Sequence, residues 1–295
     1  KRLDGYASDE GVCESPPFSG QASLVVLGLF LLLPGRSFSL SIVQMVNIYG
    51  YSGADFSSVY IFCHLLAGLL LGMVLYLWKR DRWLVLACTA GAILPDMIDK
   101  PLGFLIAGTF GYGRIYAHTL LFFLILLLTG AVLWQLYSRK AGLLVVAMAA
   151  GVLSPQLLDA MWRAPSAWYW PLLGPFPPPD IDIPLLSYVL GNLLQPAEWL
   201  FAAACLFLAA TLAGLRGRWQ RLAPALSLVL AFFAMWVFLC ALTGSWCPVT
   251  GWDDRLDNAI VTVMLLFGAA GVDRVGSAVR GKDTGEMNAI HNAGK

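Results

Sequence analysis

The sequence predicts an all-α fold, a polytopic bundle of about seven or eight transmembrane helices, and three observations lead there. Of the 295 residues, 59% are hydrophobic and only 13% are charged, with a mean hydropathy of +0.72. A chain of that composition cannot present an ordinary water-facing surface, so its solvent must be lipid. Apolar runs close to the ~20 residues needed to cross the hydrocarbon core recur along its length, and backbone groups in lipid must bond internally, which makes the spans helical. Clusters of Lys and Arg fall in alternate connections, as the positive-inside rule demands of a multi-pass chain.

Taken in order, the first candidate covers 22–48, where Pro34, Gly35 and Arg36 interrupt the apolar run, so a kinked span and a re-entrant segment both stand open. It does not read as a cleavable signal, because the residues before it are acidic, contain Ser and Pro, and lack a basic stretch. Seven further runs follow at 57–77, 83–98, 115–137, 141–160, 196–214, 222–242 and 257–272, each ended by charge, Gly or Pro. The basic connections are Lys79-Arg80-Asp81-Arg82, Arg139-Lys140, Arg216 to Arg221, and Arg274 to Lys282. They orient the chain in the inner or plasma membrane with its C-terminus cytoplasmic and the segments 99–114, 161–195 and 243–256 outside. Four regions result: an N-terminal segment 1–56, a core 57–175, C-terminal transmembrane helices 176–272, and a polar cytoplasmic tail 273–295 whose last dozen residues should fray. Cys63, Cys88, Cys205 and Cys240 lie within apolar runs as small apolar residues, while Cys13 and Cys247 lie outside them, where a disulfide is conceivable. The net charge of +1 says nothing about partners, because the charges sit in separate loop clusters; no nucleic-acid partner is expected.

A charged side chain or a histidine inside a span costs roughly 2.5 kcal/mol or more, so each needs a partner or a function. His64, Asp96, Asp99, His118, Asp159 and Glu198 all fall, by orientation and depth together, in the outer leaflet. Asp96 and Asp99 are three residues apart, on one side of a helical turn, where both carboxylates can chelate or bridge a divalent cation. Arg114 and His118 share a face at a spacing of four, an arginine able to grip a phosphate beside an imidazole able to ligate or carry a proton. Mixed His and carboxylate donors suit zinc, manganese or iron better than calcium.

Four ordered motifs carry a resemblance: Cys63-His64-Leu65-Leu66-Ala67-Gly68; Leu94-Pro95-Asp96-Met97-Ile98-Asp99-Lys100-Pro101; Gly113-Arg114-Ile115-Tyr116-Ala117-His118-Thr119; and Gly151-Val152-Leu153-Ser154 through Leu158-Asp159, with Trp170-Pro171 downstream. Over roughly 57–175 the chain resembles the membrane-bound metal-dependent hydrolases related to the bacterial LexA-binding inner-membrane protein, most closely their archaeal-like branch. The resemblance implies the ligands His64, Asp96, Asp99, His118 and Asp159. A fainter likeness to zinc-dependent phospholipase C suggests phosphoester chemistry. The fourth motif departs from the family, since Pro155 stands where a ligand histidine is usual, which puts a second metal, the metal affinity or the activity itself in question.

The expected function is a metal-dependent hydrolase, holding zinc or manganese and cutting a phosphoester or lipid-like substrate at the extracytoplasmic leaflet, with Asp99, Arg114 and Asp159 as catalytic residues and membrane lipids as partners. The rival is a non-catalytic membrane protein, an ion-binding transporter or assembly factor with a degenerate site. Simpler roles compete at single positions. His64 can bond between helices; Asp96 and Asp99 can pair with Lys100 and Arg114; Asp159 can cap its helix or pair with Arg163; Glu198 suits its own helix dipole; Asp257 can cap the last helix. Trp162, Trp168, Tyr169 and Trp170 suit an interfacial anchor or, alternatively, a platform for lipid.

Overall fold

The computed structural model describes residues 60–108, 113–176, 191, 193–215 and 218–293, all within the second of two compact units, Phe56–Lys295. The candidate span 22–48 and Cys13 lie outside the described residues. Eight α-helices follow one another: α1 Ile61–Lys79, α2 Trp83–Ala107, α3 Leu120–Leu136, α4 Arg139–Leu158, α5 Pro165–Trp168, α6 Pro196–Leu212, α7 Ala223–Thr243 and α8 Arg255–Ala293. Among the described residues there is no strand. Four helical segments among the described residues are long and apolar enough to cross a membrane: Ile61–Lys79, Arg139–Leu158, Gln220–Thr243 and Arg255–Ala278. The apolar helices α3 and α6 have 17 residues each, about 26 Å at 1.5 Å per residue. Many large apolar side chains lie exposed, among them Leu105, Leu128, Leu136, Leu206 and Leu228, and in α3 only Gly130 is buried. That outward apolar surface is what lipid solvates.

Two helices outrun their sequence boundaries. The apolar pattern ends near residue 98, yet α2 continues through Pro95 and Pro101 to Ala107, where Gly108 closes it at φ 73°. Proline removes one helical hydrogen bond, and inside a bundle neighbouring groups can offset the loss, so proline need not stop the helix. The expected fraying of the C-terminus is also absent, because α8 runs to Ala293.

Small residues set the register that builds the site. Gly91 on α2 lies so close to the main chain of α4 that a Cβ would collide with the Met148 carbonyl, and Gly151 on α4 is pressed equally hard against the Cys88 carbonyl. The Cys88 thiol donates to Ala147 O at 3.0 Å across the same seam. Such close backbone approach is how helices associate in lipid, where no hydrophobic force drives them together. With 88–91 beside 147–151, the two helices run parallel, and one to two turns further Asp96 and Asp99 arrive beside Asp159. On the other side of α1, a core containing Leu66, Phe201, Leu208, Leu230 and Leu265 joins α1, α6, α7 and α8. At the far end Lys140 Nζ meets Asp81 Oδ2 at 3.6 Å, so the basic connections 79–82 and 139–140 gather there.

Candidate metal centre

The carboxylate of Asp99, fully buried, is wrapped by the turn that precedes α3. It accepts from Ile115 N at 3.0 Å, Ala117 N at 2.8 and 3.0 Å, and His118 N at 3.0 Å. His118 Nδ1 stands 2.8 Å from the same Oδ2. Facing a carboxylate already used as an acceptor, Nδ1 is the donor, so the neutral ring turns an unprotonated Nε2 the other way. Thr119 then starts α3 by accepting from Phe122 N at 3.1 Å.

His118 Nε2 lies 3.7 Å from Asp96 Oδ1 and 3.7 Å from Asp159 Oδ2. Asp159 Oδ1 lies 3.3 Å from His64 Nε2 and 3.6 Å from Arg114 Nη2. Asp96 Oδ1 also meets Lys100 Nζ at 3.0 Å, one helical turn on. His118 Nε2, Asp159 Oδ2 and His64 Nδ1 have no hydrogen bond, although all are buried. Buried polar atoms are normally satisfied, so three orphans in one cluster ask for an occupant. Two donors bound to one tetrahedral ion at 2.0–2.1 Å stand about 3.4 Å apart. The pairs Asp96–His118, His118–Asp159 and Asp159–His64 come within a few tenths of an ångström of that. Among the described residues no group of three or more His, Cys, Asp or Glu is disposed to hold a metal ion; these donors are spaced as successive pairs. His64, Asp96, His118 and Asp159 supply the nitrogen and oxygen donors of the cluster. Asp99, whose oxygens are taken by the turn and by His118, is positioned to orient the imidazole.

Several supporting residues were not legible in their roles. Glu198, 2% exposed, accepts from Ile61 N at 2.8 Å and Phe62 N at 3.1 Å. It therefore caps α1 from α6, across the bundle, and fixes the turn that carries His64; its own helix dipole is the lesser part of its role. Glu198→Ala is expected to lower stability by about 1–3 kcal/mol by removing the acceptor of two part-buried amides, read as a lower unfolding midpoint in detergent micelles. Gln156 does not enter the cluster in place of the missing histidine. Fully buried, it donates to Thr119 O at 3.1 Å and Ala117 O at 3.5 Å and accepts from Trp168 Nε1 at 3.0 Å, clamping the turn around His118.

Asp159 faces the cluster; Arg163 does not reach it and pairs instead with Asp254 at 3.0 Å and Asp257 at 3.7 Å. Asp254, not Asp257, caps α8, accepting from Leu256 N at 2.8 Å and Asp257 N at 3.0 Å. Burial pushes the Asp254 carboxyl up, but those amides and the Arg163 guanidinium outweigh it and hold it below the usual carboxylate range. Cys247 carries a free, buried thiol. Of the aromatic residues, Tyr116, Trp170 and Phe176 pack together with ring centroids 5.1–5.3 Å apart beside the His118 turn.

Residues 60–246 match the YdjM inner membrane protein family. The chain belongs to that family. The YdjM match takes in α1 to α7, and so all four donor-bearing segments, while α8 with Asp254 and Asp257 lies beyond it. No match was found among curated proteins or among solved structures.

Proposed function

We propose that this inner-membrane protein is a metal-dependent hydrolase acting on a phosphoester or lipid-like substrate at the extracytoplasmic leaflet. The observation that carries the proposal is His118, whose Nδ1 is tied to Asp99 while its buried Nε2 is aimed without a hydrogen bond between Asp96 and Asp159. A lone pair facing two carboxylates is repulsive unless a positive charge sits between them.

In this reading His64, Asp96, His118 and Asp159 hold the ion, and Asp99 keeps the His118 tautomer. Bound there, a divalent cation supplies Lewis acidity and a water nucleophile at neutral pH. With an ion held there, the Asp159 and Asp96 carboxylates would be the groups placed to accept a proton in the site. The Arg114 guanidinium, whose side chain is 28% exposed, extends from Asp159 toward the open side and suits the charge developing on a phosphoryl oxygen. The basic connections at the opposite end favour an outward-facing site by the positive-inside rule.

Purified protein is expected to hold zinc or manganese in stoichiometric amount, to lose it in His118→Ala, and to release phosphate or headgroup from lipid vesicles in a chelator-sensitive manner. Metal-free protein, or activity unchanged in His64→Ala and Asp96→Ala, would overturn the proposal.

A second reading has its own observation. Lys100 and Arg114 already pair with Asp96 and Asp159, so counted formally three carboxylates face two cations and one further proton would neutralise the cluster. With Pro155 in place of the family's usual histidine, this favours a non-catalytic ion-binding or assembly role. Stoichiometric metal without turnover would select it.

A further inference from the structure

One more carboxylate reaches this end of the bundle from α8, beyond the span of the family match. A cavity of about 30 Å³ lies among α1, the end of α4 and the start of α8, and Tyr60, His64, Asp159 and Asp257 supply its polar wall. That volume is about one water molecule's share of the liquid, and the wall offers the two to four polar partners that a buried water needs. His64 is 2% exposed and its Nδ1 has no hydrogen bond. Asp257 is not occupied in capping α8, since Asp254 accepts from those amides. Its ion pair with Arg163, at 3.7 Å, is also the longer of the two that Arg163 makes.

We infer that a water in this cavity links the Nδ1–H of His64 to the Asp257 carboxylate, making Asp257 a positioning residue for His64; this rests on the cluster being a cation site. The chemistry follows from the ring. A neutral imidazole carries one hydrogen, and His64 Nε2 faces Asp159 Oδ1 at 3.3 Å. If the hydrogen is on Nδ1 and passes to the water, the Nε2 lone pair is left for the ion that Asp159 also holds. Metal-ligating histidines nearly always donate their other N–H to a carboxylate, a carbonyl or a water. Asp99 performs this for His118 by direct contact, and Asp257 performs it for His64 through one water. The competing arrangement puts the hydrogen on Nε2, donated to Asp159, and leaves Asp257 with no part in the site.

The chain has three histidines, so selective ¹⁵N labelling of the full-length protein in nanodiscs gives a countable spectrum, with His64→Ala assigning the His64 signals. In chelator-treated protein, His64 is expected as the Nδ1–H tautomer. Asp257→Leu shifts it toward Nε2–H, and Asp257→Asn, which keeps an oxygen acceptor, preserves it. An Nε2–H ring in the wild type, or a tautomer that Asp257→Leu leaves unmoved, overturns the inference. Zinc titration then separates this from the reading beneath it. Asp257→Leu weakens binding about 10- to 100-fold, Asp257→Asn weakens it far less, and Asp254→Ala, which removes the α8 cap and the shorter Arg163 ion pair but no group lining the cavity, leaves affinity unchanged. Normal affinity in Asp257→Leu beside lost affinity in His118→Ala sinks the role of Asp257 and keeps the metal site. A wild type that binds no zinc yet shows the Asp257-dependent tautomer keeps the water link and sinks the metal site.

Discussion

Asp99→Ala is expected to lower the stability of the detergent-solubilised protein by about 3–5 kcal/mol, because it strands several buried donors at once. The side chain accepts from three main-chain amides, those of Ile115, Ala117 and His118, and from the His118 ring. All four donors are buried, and truncation leaves them facing a hole that carries no acceptor. Each stranded donor costs about 1–3 kcal/mol, which relaxation of the turn would partly recover. Asp99→Asn separates the effects. Its amide oxygen can still accept, but its NH₂ meets donors, so stability should fall less while the His118 tautomer is lost. Thermal unfolding in micelles checks the first effect and metal content the second. An Asp99→Ala protein as stable as the wild type would mean that the turn is held by something other than this carboxylate.

How far the sequence reveals this site depends on the range of the interactions. The helical class follows from composition, and the apolar runs locate most of the described helices to within a few residues, α2 and α8 running on past them, because lipid imposes a length and an internal hydrogen-bonding rule on every span. The clustering of His64, Asp96, His118 and Asp159 at one end is legible from orientation and depth together, since each falls toward the same face in its own apolar run or just beside it. What escapes is every assignment made by another helix. Glu198 has the sequence position of a dipole partner for α6, but its oxygens reach the amides of Ile61 and Phe62, more than 130 residues away. Arg163 sits four residues after Asp159, an ideal spacing for a pair on one helix, yet α4 ends at Leu158 and the intervening Ala160 takes a left-handed conformation at φ 47°. That bend turns Arg163 away to Asp254. Asp99 has the spacing of a chelating partner for Asp96, and only the folded turn 114–119 reveals how many donors compete for its oxygens. Gln156 is judged from helical geometry as a displaced ligand, whereas its three partners all come from outside α4. Pro95 misleads for a different reason: its missing N–H is a local defect that a buried helix can absorb.

The second large effect is expected far from any donor atom. Gly91→Leu and Gly151→Leu should each abolish metal binding and most of the folded protein, although neither residue belongs to the site. At both positions the obstacle to a Cβ is a main-chain carbonyl, Met148 O for Gly91 and Cys88 O for Gly151. A carbonyl within a helix cannot rotate aside as a side chain can, so the helices themselves must part. Overpacking a well-fitted interface costs about 1–3 kcal/mol when side chains yield and more when backbone must move. Parting α2 from α4 also separates Asp96 from Asp159, and His118 Nε2 spans both at 3.7 Å with no slack in the Asp99 contact that fixes its ring. A shift of an ångström therefore takes one carboxylate out of reach of any ion the other holds. Gly91→Ala is the milder probe: it should leave a folded fraction, visible by size-exclusion chromatography, whose zinc affinity falls more steeply than its stability. If Gly91→Ala lowers both in proportion, the α2–α4 seam supports the fold in general and has no particular hold on the distance between Asp96 and Asp159.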